Sequence, residues 1–69
     1  MVYRLVVIEK CENNYSAYSP DLLGCIATGK TREKTEKNMH EAIQFHLEGL
    51  REDSLPIPKQ TSFAEYVAV

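Results

Sequence analysis

The sequence predicts an α+β fold of element order β-β-β-α-β: a four-stranded mixed sheet with one helix on one face. Three observations carry this. Short runs rich in β-branched and aromatic residues fill positions 2–28, separated by turn-forming residues. An apolar stripe then recurs at spacings of three and four from Thr35 to Leu50, as on one face of a long helix. Pro56 and Pro58 force an extended exit from that helix, and a β-prone segment follows at 63–69.

Residues 2–10 read as the first strand, bounded by the turn-prone Glu12-Asn13-Asn14. Residues 15–19 and 25–28 follow as two more, joined through Pro20-Asp21-Leu22-Leu23-Gly24. Proline presets that turn and the Asp21 side chain can bond the backbone onward. Gly24 and Gly29 are expected to adopt backbone angles that other residues resist. Thr31 is suited to cap the helix, with Glu33 in its first turn; Lys34 stands where a full capping box needs Glu. The helix should span 31–53, its stripe formed by Thr35, Met39, Ala42, Ile43, His46, Leu47 and Leu50.

Three strands run up, down and up, and the helix returns down. A final strand at 63–69 then pairs parallel with the first through a right-handed crossover. The sheet order becomes 3-2-1-4, a topology that resembles a truncated ribonuclease H fold. Cys11 and Cys25 fall on non-adjacent strands, roughly 9–10 Å apart, beyond the reach of a disulfide, and should be free thiols. Alternation sets Tyr3, Leu5 and Val7 against Val2, Val6 and Ile8, and Phe63, Val67 and Val69 against Ala64, Tyr66 and Ala68. Both sheet faces are thus apolar while one helix covers one of them, so a homodimer or larger assembly is expected.

At 69 residues the chain is read as a single domain over 1–69 with one thin core. A net charge of −2, with Lys30, Arg32, Lys34 and Lys37 interleaved with Glu33 and Glu36, argues against direct DNA binding and suits a basic partner. Without a leader or a long apolar run the expectation is a cytoplasmic protein with no membrane contact. No metal or cofactor site is expected. His40 and His46 are six apart, on different sides of the helix. His46 falls on the stripe and is expected as a hydrogen-bonded core residue, with His40 solvated. Glu9, Glu41 and Glu65 do not converge as a metal-dependent nuclease requires, and Cys25 has no evident activator. The chain is therefore read as no enzyme, with no catalytic residue. Phe45 lies off the stripe and is expected to be packed by Pro56-Ile57-Pro58, the alternative being that it forms part of a contact.

The combined string Pro20-Asp21-Leu22, Gly24-Cys25, Gly29-Lys30-Thr31 and Asn38-Met39-His40-Glu41-Ala42 resembles the HicB antitoxin family over residues 3–58. Lys34 and Thr35 depart from the Glu and Ala often found there. The resemblance implies the same ribonuclease H-like topology and the role of an antitoxin that binds and blocks a small HicA-like toxin, one that cleaves messenger RNA. Inhibition would be steric and electrostatic. Many members add a DNA-binding segment that is not seen after Val69 here. An acidic edge from Asp21, Glu41 and Glu48, with Tyr18 and Leu22 as apolar anchors, is the expected contact surface. The alternative is an orphan oligomeric binding module of the same fold.

Overall fold

Local capping chemistry sets the helix. The Thr31 hydroxyl accepts the Lys34 N–H at 3.0 Å, and the Thr35 hydroxyl donates to the Thr31 carbonyl at 2.7 Å. From this cap α1 runs Arg32–Glu52. It ends in a reversal around Ser54, at φ 56°, with Leu55 N–H donating to Leu50 O at 2.8 Å and Ser54 N–H to Arg51 O at 3.1 Å. Pro56 then prevents any resumption.

The computed structural model describes residues 3–69; Val2 of the expected first strand lies outside the described residues. Three antiparallel strands precede the helix: β1 (Val7–Lys10), β2 (Tyr15–Tyr18) and β3 (Ile26–Gly29), in sheet order β1-β2-β3. The register aligns Val7, Tyr18 and Ile26 on one face and Ile8, Ala17 and Ala27 on the other. The second row meets the helix. Ala17, Leu22, Cys25 and Met39 form the buried core, with Val6, Ile8, Ala27, Ala42, Ile43 and Leu47 packed against it. The opposite face is open, and Tyr18 and Ile26 are exposed there. Cys11 is exposed and Cys25 buried, both as free thiols; burial pushes the Cys25 thiol pKa up.

The first strand enters the ladder at Val7, later than its β-branched composition predicts. Extending the register puts Leu5 opposite Pro20, which has no N–H to donate. Side chains serve Leu5 instead: Ser19 Oγ donates to its carbonyl at 2.9 Å, and Gln60 Oε1 accepts its N–H at 3.1 Å.

Among the described residues the expected fourth strand is not seen, and the 3-2-1-4 order is corrected to three strands in the order β1-β2-β3. The cause is visible at 60–62. Gln60 takes the Leu5 N–H, and Asp21 draws Thr61 and Ser62 onto the β2–β3 turn, so the chain departs from β1 before a ladder can begin.

The two motif glycines have different reasons. Gly24 sits at φ +79°, where an L side chain is strained. Gly29 has an ordinary φ; a Cβ there would come within 2.8 Å of the Thr35 backbone nitrogen and 2.7 Å of its hydroxyl. Gly29 is thus required by close approach of β3 to the helix start, not by its backbone angle. Gly29→Ala should destabilise the domain by about 1–3 kcal/mol. Gly49→Ala, in open space on α1, should stabilise it by roughly 0.5–1 kcal/mol. Urea denaturation of both variants reads the opposite signs.

Candidate partner-binding surface

The outer flank of α1, the β3 edge and the turn before it carry the most exposed apolar side chains of the body. Phe45 is 80% exposed, Ile26 on β3 is 70% exposed and Leu23 in the preceding turn is 90% exposed. Single exposed apolar residues are ordinary, whereas neighbouring ones mark contact sites. Here Phe45 and Ile26 line one groove of about 420 Å³ along the outer edge of β3, with Gly49 and Leu50 extending it along α1. The expectation that Phe45 is packed by the proline linker is corrected: Leu55 and Ile57 are themselves exposed, leaving the ring open to solvent.

Helical geometry sets carboxylates beside that ring. Glu41 is four residues before Phe45 and Glu48 three after it, which places all three on one side of α1. Both glutamates are exposed. The arrangement is an apolar strip with an acidic margin, the chemistry that desolvates against an apolar contact and attracts a cationic surface. His46 also lines this groove, half-buried, rather than sitting in the core, because its place on the helix is at the stripe's margin. His40 is exposed, and no group of three His, Cys, Asp or Glu side chains gathers among the described residues. Among the same residues no helix is long and apolar enough to cross a membrane.

The structure separates the five residues expected at the contact. Glu41 and Glu48 share the helix flank just described. Tyr18 lies on the open sheet face, in register with Ile26 and 40% exposed. Leu22 is 1% exposed and packs in the core, so it supports the turn from beneath. Asp21 is engaged within the chain: one carboxylate oxygen accepts the Thr61 and Ser62 backbone N–H groups, both at 3.2 Å, and the other accepts their hydroxyls at 2.8 and 3.0 Å. Sequence patterning did not mark Leu23 and Ile26 as exposed apolar neighbours of Phe45. The off-stripe position of Phe45 was the available signal.

A family model for the HicB-like antitoxin of bacterial toxin–antitoxin systems matches residues 3–69. The chain belongs to the HicB-like antitoxin family. Among solved structures, this HicB-like chain is similar to one in the HicA3 and HicB3 toxin–antitoxin complex. That match has a TM-score of 0.71 and 32% identity, over 90% of this chain and 72% of the other. A UPF0150 protein of Helicobacter pylori is 47% identical over 49 residues, 71% of this chain and 68% of its own length. An uncharacterized 14.9 kDa protein in the rep-hol intergenic region of Haemophilus phage HP1 is 37% identical over 62 residues. The HicB-like chain aligns over 90% of its own length there and spans 47% of that phage protein.

Several motif residues of the HicB-like chain now have physical reasons. Asn38 Nδ2 donates to the Thr28 carbonyl at 2.8 Å, tying α1 to β3. Asp21 anchors the segment 61–62. Desolvation raises the Asp21 pKa, but the four hydrogen bonds from Thr61 and Ser62 outweigh it and hold the carboxyl below its ordinary value. A depressed folded-state pKa contributes stability above the unfolded value, and that contribution is lost as pH falls through the folded value. The Thr61 and Ser62 amides should therefore keep their hydrogen-exchange protection across neutral pH and lose it only in acid below the usual aspartate range. Asp21→Ala should remove that protection at every pH.

Proposed function

We propose that this HicB-like chain binds and blocks a small HicA-like toxin that cleaves messenger RNA, with the β3–α1 flank as its contact. The supporting observation is the exposed Phe45 and Ile26 strip, with the Glu41 and Glu48 carboxylates at its margin. A toxin that grips RNA needs a cationic surface, and such a surface is matched in charge by these glutamates. Phe45 supplies the aromatic anchor around which interface energy concentrates. Blocking by occlusion asks for no catalytic group on the antitoxin. The place of action would be the cytoplasm, where messenger RNA is translated.

Co-expression tests the reading. The product of the adjacent short gene, expressed alone, should arrest growth and degrade messenger RNA; expression of this chain alongside should restore growth, and the two proteins should co-purify. Growth arrest that persists in its presence, or a neighbour that does not co-purify, would overturn the assignment in favour of an orphan binding module.

A further inference from the structure

β1 is an edge strand with an empty place beside it. It pairs with β2 on one side, and no described strand lies along the other. The helix lies chiefly over β3 and β2 and barely reaches β1. A groove of about 750 Å³ consequently opens between the β1 edge and α1, floored by Val6, Ile8, Ile43 and Leu47. Arg4 also lines it, and its Nε and Nη1 atoms are buried without a hydrogen-bond partner among the described residues. Buried donors of a charged group rarely go unpaired in a finished structure.

The same chain carries an element suited to that place and holds it elsewhere. After Ser62, anchored at Asp21, residues 63–69 run out from the body, exposed at every position. The long axis reaches 41 Å and the radius of gyration 13.2 Å, against about 11 Å for a compact chain of this length. The arm has the composition of a strand buried on both faces, with Phe63, Val67 and Val69 in one row and Ala64, Tyr66 and Ala68 in the other. Glu65 is its one charged residue and belongs to the first row.

We propose that the 63–69 arm of one copy seats in the β1–α1 groove of a second copy, and the reverse. The product is an arm-exchanged dimer in which Glu65 pairs with Arg4 across the two chains. Length agrees: at about 3.3 Å per residue the arm reaches about 23 Å, and residues 3–10 offer a similar edge. Alternation agrees as well. Aligned in parallel, Glu65, Val67 and Val69 fall beside Arg4, Val6 and Ile8 on the groove side. Tyr66 and Ala68 fall beside Leu5 and Val7 on the open face. The unpaired guanidinium gains a carboxylate, and the exposed apolar row of the arm gains a floor. This dimer is independent of the toxin contact, which uses the other edge of the sheet.

Charge exchange between copies provides the test. The native chain should sediment as a dimer at micromolar concentration. Arg4→Glu and Glu65→Arg each set like charges together at both grooves, and each alone should weaken the dimer about tenfold or more. Mixing the two variants in equal amounts should restore a heterodimer, because each groove then meets an arm of opposite charge. The chain carrying both substitutions should also dimerise. Circular dichroism of each variant separates weakened assembly from unfolding. A native chain that stays monomeric overturns the proposal. So does a mixture that remains monomeric while the doubly substituted chain recovers its native thermal stability, since the pairing would then lie within one chain.

Discussion

Met39→Ala is expected to remove about half of the isolated domain's stability. Met39 is 1% exposed and belongs to a core of four buried apolar residues among those described, beside Ala17, Leu22 and Cys25. Truncating such a side chain removes about 2–5 kcal/mol, the lost transfer energy plus that of the cavity left behind. A domain of this length holds about 3–10 kcal/mol in total. No second core layer is available to collapse into the gap, because the open sheet face has no partner within the chain. Met39→Leu keeps the volume and should cost less than about 1.5 kcal/mol. Urea titration followed by far-ultraviolet circular dichroism distinguishes the two variants.

For the toxin contact proposed above, Phe45→Ala should have the largest effect on affinity while leaving the fold alone. The ring is 80% exposed, so its loss from the free protein creates no cavity. In a complex built on the β3–α1 flank the same ring is the largest apolar group to be desolvated. Truncation of such an anchor costs about 2 kcal/mol or more, roughly a 30-fold loss of affinity. Glu41→Gln and Glu48→Gln should act differently, slowing association and flattening its dependence on salt with a smaller change in dissociation rate. Surface plasmon resonance at two ionic strengths separates these effects. A Phe45→Ala variant with native affinity would move the contact off this flank.

What the sequence made legible is what local chemistry decides. Thr31 as cap, the stripe from Thr35 to Leu50 and the break at Pro56 need only near neighbours, and the helix ends fall within a residue of expectation. The three-strand meander follows from alternation and from the 20–24 turn. The fourth strand was not legible in the same way. Its fate depends on Asp21, which binds Thr61 and Ser62 some forty residues away, and no pattern near 63–69 signals that competition. Leu22 and Leu23 show the limit at single-residue scale: adjacent and identical in type, one is 1% exposed and the other 90%. Which of two leucines in a turn points inward is set by the path of the turn over Met39. On the proposed contact flank the glutamates stand out by charge, whereas the exposure of Phe45 depends on a linker path that its neighbours in sequence do not reveal.

Carrying an arm and its receptor on one polypeptide raises a question of closure. Such a pair can be satisfied by two copies facing each other about a twofold axis, which stops at two, or by each copy donating to the next, which stops only in a ring or else runs on as a filament. If the arms exchange as proposed, the Asp21 anchor would bear on this choice, because it ties down the root from which residues 63–69 leave the body. A rigid root repeats one angle in every copy, and a repeated angle that suits the reciprocal pair excludes the others. Loosening that root would leave both arm and receptor intact while making the assembly polydisperse. In the proposed dimer, four hydrogen bonds on one carboxylate would thus hold the arm's exit angle and with it the choice between a closed pair and an open chain.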